Sequence, residues 1–206
     1  MDKYKELIKY SHLIARRGLV QGSSGNISIR QGRSMLIKAS GCFMEEARRV
    51  DFVSVGIETL SPKKKKSQPS CEFRMHAFCY QARPDISCVI HTHPLYATTL
   101  VSCSIKPNLI GPEFILGIGS EIGIVDYICP GTEKLAHKVG QVIAKCNVIY
   151  LKNHGLLSVG RDFKEAFTRT ILAEQTAKMQ VLALAMGKRI NSLNAKQISL
   201  LLKTLS

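Results

Sequence analysis

The sequence has no C-x-x-C pair, no apolar run as long as a membrane span requires, and no internal repeat or low-complexity segment. Each absence narrows the field. Without cysteines paired at metal-ligand spacing, a cysteine-type zinc finger is excluded. The seven cysteines (Cys42, Cys71, Cys79, Cys88, Cys103, Cys129 and Cys146) are odd in number and scattered. That pattern argues against a disulfide framework and for small core residues in a reducing compartment. The opening MDKYKELIKYSHLIARR interleaves charge with apolar residues, an amphipathic helix and not the continuous apolar stretch of a signal peptide. A cytoplasmic protein with no membrane partner is therefore expected. With no linker, the 206 residues fit a single domain, 1–206, long enough to bury a sizeable core.

Acidic residues are also scarce: 15 Asp and Glu stand against 29 Lys and Arg, a net charge of +14. Such a balance concentrates anions, including phosphorylated metabolites and nucleic acid. The only dense run, Lys63 to Lys66, has no interleaved aromatics and no nucleic-acid-binding pattern beside it. It reads as a solvated loop, and nucleic acid is not an expected partner.

What is present is a mixture of helical and strand signals without strict alternation. Residues 3–17 read as a helix closed by Gly18. After the loop Gln21 to Asn26, ISIR and SMLIK form a hairpin around Gln31-Gly32-Arg33. Further strands are expected at Asp51–Ile57, Ser87–His91 and Gly123–Ile128, and on both sides of Lys152-Asn153-His154-Gly155. Helices are expected at Glu72–Ala82, at 95–102, from a Thr132 cap through Ala144, and from Phe163 to Met186, stopped by Gly187. An apolar segment, Ile198 to Leu205, follows in a tail over 188–206, read either as a helix on a neighbouring subunit or as a disordered end. The fold class expected is α/β: one three-layer domain with a central, largely antiparallel sheet flanked by helices.

The chemistry concentrates in few residues. His91-Thr92-His93 ends a strand, where residues i and i+2 face one side and two imidazoles share one space. A third histidine, His154, lies in the tight segment N-H-G. Three histidines leave a fourth position open, the pattern of a catalytic zinc ion, here beside the carboxylate of Glu72. His12, His76 and His137 lie in helical stretches and read first as surface or core residues. Pro69-Ser70-Cys71-Glu72 puts small polar groups at a helix start, where backbone N–H groups suit a phosphate. Ser24-Gly25-Asn26 and Ser40-Gly41 are loops of the same kind.

SSGNISIR, KASG, PSCE, ARPDISCVIHTHP, PGTEKLA and YLKNHGLLSVGRDFKEAF occur in the order and at the spacing of the class II aldolase/adducin family. Over nearly the whole chain, to residue 187, the sequence resembles that family, and within it the fuculose-1-phosphate aldolase branch. The resemblance implies that His91, His93 and His154 ligate Zn2+, with other divalent metals acceptable to the same donors. Gly25, Asn26, Ser40, Gly41, Ser70 and Cys71 would line the phosphate site. Glu72 would be the acid/base in reversible cleavage of a ketose 1-phosphate into dihydroxyacetone phosphate and a short aldehyde, through a metal-stabilised enediolate. A homotetramer with active sites between subunits is implied as well.

Relatives with other reactions sharpen the expectation. The resembling pentulose-phosphate 4-epimerases carry Asp where this chain has Glu72, methylthioribulose-phosphate dehydratases lack that acid, and adducin-like binding proteins have lost the ligands. The chain departs from the aldolase pattern at Ser40, where Thr is usual, and at Cys71, where Ser is usual and the thiol is only a weak donor. The tyrosine proton donor about twenty residues after H-x-H is missing from GPEFILG, which leaves Glu113 and Tyr127 as the ionisable candidates.

Overall fold

The computed structural model describes residues 2–62 and 67–205; the Lys63 to Lys66 run lies outside the described residues. In chain order the elements are α1 (Lys3–Arg16), β1 (Asn26–Gln31), β2 (Ser34–Lys38), β3 (Phe52–Gly56), α2 (Phe73–Ala82), β4 (Cys88–Thr92), α3 (Leu95–Ser102) and α4 (Pro112–Ile118). These are followed by β5 (Gly123–Val125), α5 (Glu133–Ile143), β6 (Val148–Leu151), β7 (Gly155–Gly160), α6 (Phe163–Ala185) and α7 (Ala195–Leu205).

Local chemistry explains most boundaries. Asp2 accepts the Tyr4 N–H at 3.0 Å to start α1. Thr132 accepts from Leu135 at 3.3 Å to start α5, and Asp162 from Glu165 at 2.7 Å to start α6. Gly187, at φ 70°, ends α6 in the left-handed region that favours glycine. In the tail, the side chains of Asn194 and Gln197 each accept the other's backbone N–H, at 3.0 and 2.9 Å, and α7 begins there as a helix.

The strands form one seven-stranded sheet ordered β3-β2-β1-β4-β7-β6-β5. Every pairing is antiparallel except β5 with β6, so the sheet is largely antiparallel as expected. Helices α2 and α5 cover one face over a core that includes Met75, Val89, Leu135, Val139 and Leu157. The other face packs α1 and the start of α6 through Leu7, Ile14, Ile27, Ile90 and Phe163. It continues under α3, α4 and α6 through Leu100, Phe114, Tyr150 and Ala177. The result is three layers.

Two elements differ from expectation. The strand expected at Gly123–Ile128 ends at Val125, because Asp126 turns out to meet Lys152 (2.7 Å) and the chain leaves the sheet towards Cys129-Pro130-Gly131. Helix α4 fills GPEFILGI, a stretch assigned no element from sequence. It is seven residues long with Pro112 at its first position, too short for periodicity to reveal.

Candidate active site

The central strands deliver the chemistry to one end of the sheet. Asn26, the first residue of β1, is register partner to His91 near the end of β4. Strand β4 pairs on its other side with β7, and His154 sits in the turn that joins β6 to β7. That turn is tight: Asn153 adopts φ 56°, and the His154 N–H donates to the Leu151 carbonyl at 3.2 Å. Strand β4 ends at Thr92, and the His93 N–H donates to Leu19 O at 2.9 Å, so His93 is held just beyond the strand. Glu72 occupies the position just before α2, and its side chain makes no capping bond to the helix.

Glu72, His91, His93 and His154 converge, their ligand atoms all within 4.8 Å of one another. Glu72 Oε2 lies 3.2 Å from His91 Nε2, and Oε1 lies 3.2 Å from His154 Nε2. His93 Nε2 is 2.9 Å from His91 Nε2. The His91 Nδ1 sits 3.0 Å from the Leu156 carbonyl, which makes Nδ1 the protonated nitrogen and turns the Nε2 lone pair into the cluster. Two imidazole nitrogens at that separation require a proton or a cation between them. His154 Nδ1 is buried without a hydrogen-bond partner among the described residues, and buried Glu72 Oε1 has the His154 ring beside it. A divalent ion fits this donor set of neutral nitrogens and one carboxylate oxygen.

Electrostatics in the cluster is mutual. Burial works against the Glu72 carboxylate, but the charges and hydrogen bonds of His91 and His154 outweigh it and hold Glu72 well below the usual carboxylate range. Burial pushes His93 down to about 3, helped by His91 and His154 and opposed by Glu72, so its ring is neutral. A neutral ring keeps its lone pair for a cation.

The polar loops gather beside the cluster. Gly25 adopts φ 68°, and a Cβ there would lie 2.5 Å from Val20 Cγ1 and 2.8 Å from the His91 carbonyl, so the close approach depends on glycine. Gly41 is also in the left-handed region, at φ 75°. The Ser40 N–H donates to Gln68 O at 3.0 Å, and the Ser70 N–H to Lys38 O at 3.0 Å, tying the second loop to the third. Ser70 is buried and Cys71 exposed. Burial first, and the neighbouring Glu72 next, push the Cys71 thiol up, so it stays protonated. The Asn26 amide donates to Glu72 Oε2 at 3.0 Å and is therefore turned towards the carboxylate.

Lys38 is a residue the sequence reading passed over. It is 2% exposed, and its ammonium donates to Ser23 O at 3.0 Å and to Cys42 O. One buried cation thus ties the first loop to the second. Its only signal in the sequence is a charge at the end of the apolar strand SMLIK.

Tyr127 is exposed beyond the end of β5, on the loop that brings Gly131 against Cys71. Glu113 is exposed in the first turn of α4. Neither joins the four-residue cluster. Of the remaining histidines, His12 rests 3.1 Å from Ala47 O, His137 is an exposed residue beside Glu133, and His76 is fully buried against Ser28.

Residues 5–181 match the family described as the Class II Aldolase and Adducin N-terminal domain. The chain is 32% identical to an L-fuculose phosphate aldolase of Methanococcus vannielii over 89% of this chain and 98% of that relative. It is 30% identical to a 5-methylthioribulose-1-phosphate/5-deoxyribulose-1-phosphate aldolase of Rhodospirillum rubrum, over 84% of this chain and 77% of the relative. Among solved structures, an L-fuculose 1-phosphate aldolase superposes with a TM-score of 0.90 at 28% identity, covering 98% of this chain and 95% of its own.

Proposed function

The chain belongs to the class II aldolase and adducin family, and from that premise we propose that it is a zinc-dependent aldolase that reversibly cleaves a ketose 1-phosphate such as L-fuculose 1-phosphate. The products are dihydroxyacetone phosphate and a short aldehyde. The observation that carries this reading is the position of Glu72, whose two carboxylate oxygens meet His91 and His154 while Asn26 holds one of them.

In this reading His91, His93 and His154 hold the ion with Glu72 beside them. The bound ion supplies Lewis-acid stabilisation to the ketone and hydroxyl oxygens of the three-carbon fragment. The loops of Gly25, Asn26, Ser40, Gly41, Ser70 and Cys71 hold the phosphate through backbone N–H groups and hydroxyls, and so fix the fragment's C3 near the carboxylate. Glu72, through Oε1, takes the C3 proton in the synthetic direction and returns it in cleavage. Rings that lend lone pairs to an ion carry no charge, and the ion's own charge would then stand in their place beside the carboxylate. Tyr127, on the loop that brings Gly131 against Cys71, and Glu113 are the two candidates for protonating the alkoxide that forms on the aldehyde carbon in synthesis and for taking that hydroxyl proton in cleavage.

A 5-deoxypentulose 1-phosphate is the second substrate reading, favoured by the 5-deoxyribulose-1-phosphate aldolase among the relatives. Both substrates share the dihydroxyacetone phosphate half. A homotetramer is proposed as the working assembly. In support, Met179 and Leu182 on α6 and Met186 just past its end are 42, 47 and 70% exposed. Light scattering of the full chain and of a chain ending at Gly187 tests both the assembly and the part of α7 in it.

The deciding experiment is deuterium exchange into C3 of dihydroxyacetone phosphate in D2O, followed by NMR, with wild type beside Glu72→Gln. Exchange by the wild type alone is expected, with zinc retained in both. A fully active Glu72→Gln would overturn the role of Glu72. No exchange by zinc-loaded wild type would transfer the assignment to an epimerase, a dehydratase or a non-catalytic binding protein.

A further inference from the structure

Strand β1 and helix α2 lie side by side, and their facing polar residues meet rung by rung. Asn26 donates to Glu72 Oε2 at 3.0 Å. Ser28 Oγ meets His76 Nδ1 at 2.7 Å and the Tyr80 hydroxyl at 2.8 Å. The Arg30 guanidinium donates to the backbone carbonyls of Tyr80 and Arg83. The alternate residues Ile27 and Ile29 face the opposite core, with α1. The geometry suits such a ladder, because two strand residues advance about 6.6 Å and four helix residues about 6 Å. Positions 26, 28 and 30 therefore stay level with 72, 76 and 80.

The middle rung is fully buried, with Ser28 and His76 both at 0% exposure. Around it the α2 interface is apolar, through Met75, Ala77 and Cys79. Apolar packing is non-directional and tolerates sliding along the helix axis, whereas a buried hydrogen bond fixes position. The rung is also uncharged: burial, with His91 adding and Glu72 opposing, pushes His76 down to about 3.

We propose that His76 is a positioning residue for Glu72: its bond to Ser28 fixes the axial register of α2 on β1, and that register sets the carboxylate against Asn26, His91 and His154. The proposal rests on the reading of Glu72 as the acid/base, and its consequence reaches the reacting atoms only through that carboxylate. Asn is the informative replacement at position 76. Its amide reaches as far as Nδ1 and offers both a donor and an acceptor, so it can meet Ser28 under either tautomer of the native ring.

The test uses the full chain carrying Ser28→Ala, His76→Leu, His76→Asn, or the first two together. Two quantities are read: the rate of deuterium exchange into dihydroxyacetone phosphate, and the visible absorption of the cobalt(II)-substituted protein. Ser28→Ala and His76→Leu are each expected to lower kcat for exchange about 10- to 100-fold, the range for groups supporting metal ligands. KM should stay within about threefold and the cobalt bands should shift. The double variant should be no worse than either single one, and His76→Asn should restore both readouts. If His76→Asn behaves as His76→Leu does, or if Ser28→Ala exchanges at the wild-type rate, the proposal is overturned. Should wild type itself show no exchange, the aldolase reading fails and the cobalt bands decide alone. A shift in Ser28→Ala and His76→Leu that His76→Asn reverses upholds the positioning role, and unshifted bands overturn it. If His76→Leu does not fold, Ser28→Ala breaks the same rung from the strand side and is read against His76→Asn.

Discussion

Gly155 lies so close to the carbonyl of Thr92 that no side chain fits between them. A Cβ on Gly155 would press into Thr92 O and fall 2.9 Å from His93 Cδ2 and 3.3 Å from His91 Cε1. The residue after His154 is therefore packed directly on the segment that carries the other two histidines, and their separation is set by backbone against backbone. Gly155→Ala is expected to cost about 1–3 kcal/mol of stability through overpacking. It should weaken metal affinity more than Gly32→Ala, a control glycine at φ 59° with open space around it. Metal titration and urea unfolding of the two variants check this; equal metal affinity would refute it.

Lys38→Met is expected to raise KM for the phosphorylated substrate at least about tenfold while metal content stays unchanged. The ammonium holds the loops of Ser23 and Cys42 together, and losing it leaves two carbonyls without a donor. Burial lowers the Lys38 pKa, and the nearby Cys42, Asp51 and Cys71 oppose that shift. Inhibition by inorganic phosphate should weaken in parallel with KM. An unchanged inhibition constant would remove Lys38 from the phosphate site.

Acid sensitivity follows from His76. Its folded pKa, about 3, is depressed below the ordinary value near 6.5. The stability this contributes is fully present above pH 6.5 and is lost as pH falls towards 3, because only the unfolded chain binds the proton. In that window one such residue adds about 1.4 kcal/mol per pH unit to the slope of unfolding free energy. Urea titrations of metal-free protein between pH 7 and 4 should show His76→Asn with a slope shallower by about that amount. Parallel slopes would mean that His76 titrates normally.

Metal removal should lower the melting temperature and return it on adding zinc, because an ion bound only by the native cluster stabilises by mass action. The gain is about 2.7 kcal/mol at a hundred times Kd. His93→Ala should reduce that zinc-dependent gain without changing the melting point of the metal-free protein to the same extent. Calorimetry with and without chelator separates the two.

Elements ruled by near neighbours could be read from sequence. Helix α1 with its Gly18 stop, the hairpin around Gly32, the Thr132 cap and the long α6 depend on residues within a few positions of one another. The H-x-H pair and the N-H-G turn are local in the same sense, and the family resemblance joined them to Glu72. Lys38 and His76 were not legible. Lys38 gains its meaning from the carbonyls of two loops, and His76 from Ser28, 48 residues earlier. His76 read only as a surface or core histidine, because helical periodicity does not say which strand a helix will lie upon. Strand β5 was overextended for a similar reason: the apolar run continues past Val125, but the Lys152 that draws Asp126 away arrives much later in the chain.

The sheet order places β1, β4 and β7 side by side although β2, β3, α2 and five later elements intervene along the chain. The four converging side chains can meet only after both non-local pairings have formed, which makes the cluster a late arrival on the folding route. Interactions absent from the transition state act on escape from the native basin. Added zinc should therefore leave the refolding rate almost unchanged and slow unfolding, so that the ion acts as a latch on a finished sheet and not as a seed for it.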